Sequence, residues 1–430
     1  MSFDTIPNSM TKVRQHMTIR IAELFAGIGG FRVGFESANK KLKEPNLYQV
    51  VWSNQWEPGE KAQHASRVYE HHFKTGIHSN EDISKVDPKT VPKFDVLVGG
   101  FPCQDYSVAK PLNKANGLEG KKGVLWWDIH RFIEAQKPKM AILENVDRLL
   151  VSPGTQRGRD FAIMLATLND LGYAVEWRII NAAEYGFSQR RRRIFIVAHQ
   201  KGTEGYKRIN SSQFDALLTT GLIASAFPVK SETLRPDVFD LEGEVWEITE
   251  SFNQGVGKKS PFLNAGTSVN RVVTTQRTIP KFRGKAKTLG SVLVDESKVP
   301  EEYFITAAEL KVWKQHKGAK KILRTKKNGI QYEYAEGKMS FPDSTDKPSR
   351  TIITSEGGRT PSRFKHVVET PSGRFRRLVP VELEQLSGFP KKHTDLPGLT
   401  DSRRAFFIGN ALVTGIIEKL GVTISKENFL

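Results

Sequence analysis

The chain of 430 residues is 38% hydrophobic and 26% charged, and it contains a single cysteine. This composition is typical of a globular protein, and a single cysteine excludes an intramolecular disulfide framework. The sequence contains no run of about 20 apolar residues, so it does not predict a membrane span. Lys and Arg number 65 against 47 Asp and Glu, a formal net charge of +18, which favours a polyanionic partner, most often nucleic acid.

Segments with strand and helix periodicity alternate between residues 18 and 200. The predicted strands are TIRIAELF, YQVVWSN, FDVLVGG, KMAILENV, AVEWRIINA and RIFIVAHQ, and the helices between them include FRVGFESANKKL, PGEKAQHASRVYEHHF, WWDIHRFIEAQ and RDFAIMLATLNDLGY. This alternation predicts an α/β fold with a mostly parallel sheet covered on both faces. In such a sheet, functional sites form at the carboxyl ends of the strands.

The character of the chain changes after residue 200. Helical periodicity weakens over 201–370, and basic clusters and turn dipeptides appear, as in KFRGKAK and EGGRTPSRFK. We therefore expect a smaller, loop-rich domain there, and helical patterns return over 371–430. Residues 1–17 are expected to form an N-terminal extension without the apolar core of a signal peptide. The single cysteine indicates a reducing interior, and we expect a cytoplasmic location.

Five short motifs lie at the predicted strand ends. FAGIGG (25–30) allows a tight turn before a helix, although its glycine spacing is not the dinucleotide fingerprint. NQW presents a tryptophan, and ENV presents a carboxylate. FPCQ carries the only cysteine at a strand end, where a thiol pKa can be lowered. QRRRR enters a strand, so some of its arginines must face the rim. Each motif alone also fits a structural role, such as a plain turn, a buried inert thiol or a solvated basic face.

In this order, the five motifs resemble the DNA (cytosine-5) methyltransferase family of the bacterial restriction–modification type. RRLVPVELEQLSGFP and GNALVTGIIEKLG resemble the family's ninth and tenth blocks, so the resemblance covers 18–200 and 370–421. It implies a Rossmann-like, S-adenosylmethionine-dependent methyltransferase sheet with helices on both faces. Residues 18–200 would be the catalytic domain, 201–370 the target-recognition domain, and 371–430 a return to the catalytic domain.

The resemblance also assigns residues to roles. Cys103 would be the nucleophile, Glu144 would meet cytosine N3, Arg193 would contact cytosine O2, and Arg191 would support the catalytic loop. The residues expected to line the S-adenosylmethionine pocket are Phe25, Gly27, Gly29, Gly30, Gln55, Trp56, Asp82, Ile83, Pro102, Leu125, Asn410, Ala411 and Leu412. The residues expected to contact DNA are Gln104, Ser107, Arg359 and Arg363. No metal ligand spacing is found in the sequence.

Within the cofactor pocket, Trp56 would stack on the adenine and Asp82 would meet its amino group. One position departs from the family, which usually has an acidic residue where Gln55 stands, to hold both ribose hydroxyls. Glutamine can still form hydrogen bonds to the ribose, and Glu57 is the alternative candidate for this contact.

The implied chemistry explains why these residue types are needed. Addition of the Cys103 thiolate to C6 of cytosine makes C5 electron-rich, so that C5 takes the methyl group before elimination restores the ring. Glu144 and Arg193 offset the charge that accumulates on the ring. The target base must be flipped out of the duplex, and the segment 107–123 is expected to close on the DNA.

Three alternatives remain open. The first is an RNA cytosine-5 methyltransferase on the same scaffold, which the long middle segment disfavours. The second is a non-catalytic nucleic-acid-binding relative, and a distant third is an NAD-dependent oxidoreductase. The favoured partner is double-stranded DNA with a specific cytosine-containing site, bound by a monomer that is associated with the bacterial nucleoid through its substrate.

Overall fold

The computed structural model describes residues 18–101, 125–255, 258–325, 329 and 331–430. Its strands are β1 (Ile19–Leu24), β2 (Tyr48–Asn54), β3 (Ile77–Ser79), β4 (Val96–Gly100), β5 (Met140–Asn145), β6 (Tyr173–Asn181), β7 (Arg192–Gln200), β8 (Val229–Ser231), β9 (Asp237–Asp240), β10 (Ala265–Val269), β11 (Val272–Gln276), β12 (Thr278–Pro280), β13 (Lys320–Thr325), β14 (Gln331–Glu336), β15 (Val368–Glu369) and β16 (Phe375–Arg376). Its helices are α1 (Gly30–Leu42), α2 (His64–His72), α3 (Leu125–Gln136), α4 (Arg159–Asp170), α5 (Glu204–Ser211), α6 (Gln213–Asp215), α7 (Leu222–Ala226), α8 (Val245–Ser251), α9 (Ala307–Lys317), α10 (Pro380–Leu386), α11 (Asp401–Asn410) and α12 (Thr414–Glu427).

Ten strands form one sheet in the order β3-β2-β1-β4-β5-β7-β6-β10-β11-β9. The pairs from β3 to β5 are parallel, whereas β7 lies antiparallel between β5 and β6. The predicted α/β fold is therefore confirmed, but the expectation of a mostly parallel sheet is wrong: among the described strands of this sheet, four neighbouring pairs are parallel and five are antiparallel. The carboxyl ends of β1, β2, β4 and β5 lie along one rim, where the parallel register brings the predicted strand-end motifs together.

Alternate residues of the central strands contribute side chains to two different hydrophobic cores, one on each face of the sheet. In β5, Ala141 and Leu143 belong to the core that α3 and α4 cover, whereas Met140 and Ile142 belong to the core that α1 and α12 cover. This follows from the two-residue side-chain period of a strand. Helices therefore cover both faces of the sheet, as predicted.

The sheet does not end at residue 200. Strands β9, β10 and β11, all from later in the chain, extend it beyond β6 by antiparallel pairing. The division of the chain at 200 stays a prediction, but residues 237–276 contribute strands to the same sheet. Short-range periodicity could not show this, because pairing of distant segments depends on tertiary contacts.

The C-terminal segment returns to the start of the chain. Helix α12 packs on α1, and Tyr48 donates a hydrogen bond from its hydroxyl to the Gly421 carbonyl at 2.6 Å. The helical pattern over 403–421 is broken at 411–413, which separates α11 from α12. Within the described residues, no single helix is long and apolar enough to cross a membrane, although the bent pair α11 and α12 passes that test of length and composition together.

Candidate active site

A buried ion pair lies at the carboxyl end of β5. Glu144 Oε1 is 2.9 Å from Arg193 Nε, and the Glu144 residue is only 7% exposed. Glu144 pairs with Gly100 of β4 across the sheet, and a Cβ on Gly100 would lie 3.2 Å from Glu144 Oε2. The glycine thus leaves room for the carboxylate beside the end of β4.

Burial raises the pKa of Glu144 above the ordinary value of a glutamate, although the positive charges of Arg193 and Arg191 act in the opposite direction. Desolvation penalises the charged form of a carboxyl group, so this group retains its proton to a higher pH than an exposed glutamate. A carboxyl of this kind can donate or share a proton with a ring nitrogen placed beside it.

Arg191 is buried and joins three parts of the chain. Its guanidinium donates hydrogen bonds to the Gly409 carbonyl at 2.9 Å and to the Ile352 carbonyl at 3.3 Å. Burial lowers the pKa of Arg191 to about 9. Arg191 therefore connects the strand that carries Arg193 to the C-terminal helices and to the start of the segment that follows Ile352. Its predicted support of the catalytic loop stays a prediction.

The predicted nucleophile follows the end of β4. Pro102, Cys103, Gln104 and Ser107 lie outside the described residues, as does the segment 107–123. The last described residue before them, Phe101, accepts a hydrogen bond at its carbonyl from Asn145 Nδ2 at 3.1 Å. Asn145 thereby fixes the backbone two residues before Cys103, a positioning contact that the ENV motif contains but that its sequence alone does not reveal.

The loop after β1 adopts backbone angles that glycine allows. Gly27 and Gly29 have φ values of 56° and 86°, and Phe25 also has a positive φ, of 54°. The Gln55 side chain accepts a hydrogen bond at Oε1 from the Gly27 amide at 2.7 Å. Gln55, the residue that departs from the family pattern, therefore holds the glycine loop in this structure.

The segment between α11 and α12 meets the same loop. A Cβ on Gly30 would lie 3.3 Å from Leu412 Cγ, so the two residues are in contact. Asn410 ends α11 and Ala411 caps it, whereas Leu412 is buried. Leu125 is the first described residue of α3 and is half-buried. The structure thus brings Leu412 to the glycine loop, and the predicted closing of a cofactor pocket by Asn410, Ala411 and Leu412 stays a prediction.

Two further predicted residues lie at the ends of β2 and β3. Trp56 follows β2 and is 37% exposed. Asn54 Nδ2 donates to the Glu81 carbonyl at 2.9 Å, which places the following Asp82 beside the end of β2. Asp82 caps the short turn that begins at Ile83, which is buried. Trp56 and Asp82 therefore lie on adjacent strand ends of one rim.

The alternative ribose contact, Glu57, has a structural partner. Its Oε2 accepts a hydrogen bond from the Ala65 amide at 3.2 Å, in the first turn of α2. The helix predicted over 58–73 begins only at His64, after a turn in which Gly59 has a positive φ. Glu57 therefore stabilises the start of this helix.

Sequence reasoning missed a buried charged cluster beneath the glycine loop. Glu23, at the end of β1, is fully buried and accepts a hydrogen bond from the Tyr69 hydroxyl at 3.0 Å. Burial raises the pKa of Glu23 to about 7, against the opposing effects of Tyr69 and Arg32. Arg32 also donates to the Thr75 carbonyl at 3.0 Å. Only the unusual position of an acidic residue inside an apolar strand could have indicated this cluster.

The two arginines expected to read DNA bases differ in their surroundings. The Arg359 side chain is 73% exposed and pairs with Glu302 at the surface. In contrast, Arg363 is nearly buried; its guanidinium donates to the Gly318 carbonyl at 2.8 Å and to the Gly337 carbonyl, and it lies 3.3 Å from Glu336. Arg359 is therefore an exposed side chain with a surface partner, whereas the guanidinium of Arg363 donates to carbonyls within the protein.

Comparison with known proteins identifies the class of protein that this fold and site define. A profile of the family described as C-5 cytosine-specific DNA methylase matches residues 19–426. The chain belongs to this family, and it is a DNA cytosine methyltransferase. The predicted family and enzyme class are thus confirmed.

Individual relatives give the same family. The chain is 43% identical to the Type II methyltransferase M.Sau3AI of Staphylococcus aureus, over 95% of this chain and 96% of the relative. It is 34% identical to the Type II methyltransferase M.HhaI of Haemophilus parahaemolyticus, over 43% of this chain and 50% of that relative.

Solved structures share the fold at low identity. The Dnmt2 methyltransferase of S. pombe matches with a TM-score of 0.55 and 13% identity, over 96% of this chain and all of the other. A DNMT2 mutant of Spodoptera frugiperda matches with a TM-score of 0.56 and 12% identity, over 94% of this chain and 98% of the other.

Proposed function

We propose that the protein methylates C5 of a flipped-out cytosine within a specific site of double-stranded DNA, as part of a bacterial restriction–modification system. The observation that carries this proposal is the buried Glu144–Arg193 pair beside the end of β4, the strand that leads into Cys103. A carboxyl group and a guanidinium at this strand-end rim, with a cysteine in the sequence that follows β4, match the atoms at which a cytosine ring needs support. Monomeric action on nucleoid DNA in the cytoplasm stays a prediction.

Each of the three side chains has a distinct role in this reaction. The Cys103 thiolate adds to C6 and forms a covalent bond that later breaks by elimination. Glu144, whose pKa is raised by burial, donates or shares a proton at N3 as negative charge enters the ring. Arg193 stabilises the developing charge at O2. Asn145 and Arg191 are positioning residues, since both bind backbone carbonyls.

The residues around the glycine loop fit S-adenosylmethionine, the methyl donor that we propose for this enzyme. Among the described residues, no atom lies within 4 Å of a Cβ placed on Gly27, which leaves room for a ligand beside this part of the loop. The partly exposed ring of Trp56 is free to stack on an adenine, and Asp82 lies on the next strand end. When bound, the cofactor supplies an electrophilic methyl group. Leu412 would close the pocket against Gly30.

A methyl-transfer assay tests the proposed function. The wild-type protein is incubated with labelled S-adenosylmethionine and mixed-sequence duplex DNA, beside Cys103→Ser. We expect 5-methylcytosine with the wild type and none with the variant, because a serine hydroxyl is a far weaker nucleophile than a thiolate. Sequencing of bisulfite-treated product then gives the recognition site. Transfer to RNA alone, or DNA binding without any transfer, would replace the proposal with one of the alternatives.

Glu144→Gln separates the proton-donating role from binding. The glutamine keeps the size of the side chain but cannot supply an acidic proton, so kcat should fall by about 10²–10⁴-fold while the Kd for S-adenosylmethionine stays unchanged. Because the wild-type activity depends on protonated Glu144, its kcat should decline as pH rises through the raised pKa of this group. A variant with wild-type kcat would remove Glu144 from the chemistry.

A further inference from the structure

A two-stranded ribbon projects from the middle part of the chain. Strands β13 and β14 pair with each other and with no other described strand. Most of their side chains are exposed, including Ile322 and Leu323, which are 45% and 65% exposed. An isolated hairpin is marginally stable in water, so this ribbon needs support from elsewhere in the protein or from a partner.

The support comes from Arg363. Its guanidinium donates to the carbonyls of Gly318 and Gly337, residues that lie just before β13 and just after β14, and it pairs with Glu336 in β14. The ribbon is further closed by the Met339 amide, which donates to the Lys317 carbonyl at 2.9 Å. Arg363 thus fixes the base of the ribbon to a segment that is four residues from Arg359.

One face of the ribbon carries positive charge without a paired carboxylate. The register of the pairing places six side chains on this surface, which we call the Lys320 face: Lys320, Ile322, Arg324, Tyr332, Tyr334 and Glu336. Glu336 is neutralised by Arg363, whereas Lys320 and Arg324 have no carboxylate within 4 Å among the described residues. The Arg324 guanidinium lies over the Tyr334 ring at 3.7 Å, which orders it.

The opposite face of the ribbon differs from the Lys320 face in its charge. Its only cation, Lys321, pairs with Glu333 at 3.3 Å, so the described residues of this face have no surplus charge. The asymmetry favours a polyanion on the Lys320 face rather than a neutral protein surface. A two-stranded ribbon also has the width that fits the major groove of B-form DNA, and lysine, arginine and tyrosine are residues that bind phosphate oxygens.

We propose that the β13–β14 ribbon is a second DNA-contacting element, which binds the duplex through its Lys320 face, and that Arg363 is a positioning residue that holds the ribbon beside the recognition segment. The proposal rests on the proposed function, because it assumes that duplex DNA is the substrate. It assigns phosphate contacts to Lys320 and Arg324, and it gives Arg363 a structural role in place of base reading.

Salt-dependent DNA binding of matched charge variants tests the ribbon. Lys320→Gln/Arg324→Gln removes two cations from the Lys320 face, and Lys201→Gln/Lys207→Gln removes two from a surface outside the ribbon. The plot of log affinity against log salt concentration has a negative slope, and each lost phosphate contact makes it less steep by about 0.9. The slope of the ribbon variant should therefore be less steep by about 1.8, and the variant should bind DNA roughly tenfold or more weakly at low salt. The control pair should keep the wild-type slope, and cofactor affinity should stay constant in both.

A wild-type measurement covers the case in which a variant folds poorly. Bound duplex DNA should protect Lys320 from acetylation, whereas Lys201 should react equally with and without DNA. Arg363→Gln should make the salt dependence of DNA affinity less steep, as the ribbon variant does, without changing cofactor affinity. Equal slopes for the ribbon and control variants, or unprotected Lys320, would overturn the ribbon proposal while leaving the methyltransferase intact. A wild-type protein that neither binds nor methylates DNA would instead overturn the proposed function.

Discussion

The Gln55 side chain binds the glycine loop through one hydrogen bond, which it accepts from the Gly27 amide. Because this bond to the Gly27 amide contributes about 1 kcal/mol, Gln55→Ala should weaken S-adenosylmethionine binding about fivefold by loosening the loop. Gln55→Glu keeps an acceptor at the same place and should bind the cofactor at least as well as the wild type. Calorimetric titration of the three proteins measures this. Equal affinity of the alanine variant and the wild type would show that the hydrogen bond does not support the pocket.

The raised pKa of Glu23 makes the free energy of unfolding depend on pH. Its pKa is raised by burial from 4.5 to about 7, so between these values the folded protein holds a proton that the unfolded chain releases. The free energy of unfolding must therefore fall as pH rises across that window. Above pH 7 the difference reaches at most about 3 kcal/mol, since one pKa unit corresponds to about 1.4 kcal/mol.

Glu23→Gln removes this titration. The variant should match the wild type near pH 5 and become relatively more stable toward pH 8, by up to about 3 kcal/mol. Urea unfolding at both pH values, with Glu57→Gln as a control for an acidic residue near the same loop, gives the comparison. A constant difference between variant and wild type at the two pH values would contradict the assigned pKa.

At the scale of the elements, the crossing of α1 and α12 is unusually close. A Cβ on Gly34 would lie 2.4 Å from Ile417 Cβ and 2.8 Å from the Thr414 carbonyl oxygen. Gly34→Val should therefore force the two helices apart and lower the free energy of unfolding by about 2 kcal/mol. Thermal or urea unfolding measures the loss.

Two companion variants make that result interpretable. Gly154 lies outside the left-handed region, and a Cβ there would meet no atom within 4 Å among the described residues, so Gly154→Val should change stability little. Adding Ile417→Ala to Gly34→Val should recover part of the loss, because it vacates the volume that the valine enters. A fully additive double variant would indicate that α1 and α12 do not meet at these residues.

The sequence predicts local elements far better than it predicts their partners. The strand predicted from YQVVWSN coincides with β2, since its length and β-branched content are local properties. The antiparallel position of β7 between β5 and β6, and the addition of β9 to β11, depend on contacts between distant segments. No window of local periodicity contains that information.

In the candidate site, too, the sequence predicts the positions of residues along the chain better than the contacts that their side chains make. The motif order located Glu144 and Arg193, which the structure brings to 2.9 Å. It did not show that Gln55 binds the glycine loop or that Arg363 turns inward, because a side chain's direction depends on carbonyls supplied by other segments. Residue type suggested Arg359 and Arg363 equally, and only their surroundings distinguish them.

At the scale of the whole molecule, the net charge of +18 predicts how the two substrates respond to salt. DNA binding releases condensed counterions, so its log affinity should fall linearly with log salt concentration, with a slope of about −0.9 for each phosphate contact. S-adenosylmethionine binding, which involves no polyanion, should change little over the same range. Fluorescence anisotropy of labelled duplex and calorimetry of the cofactor measure the two dependences. DNA affinity that is independent of salt would contradict phosphate binding by the basic surface.

The contact between Gly30 and Leu412 also orders events during synthesis. The two residues are 412 − 30 = 382 positions apart, yet Leu412 lies against the loop that follows the first strand. At about 5–20 residues per second, a ribosome needs roughly 20–80 seconds to add the second after the first. During that time the early loop and the apolar face of α1 stay uncovered. A nascent chain therefore exposes this surface to chaperones until the segment that carries Leu412 has been synthesised.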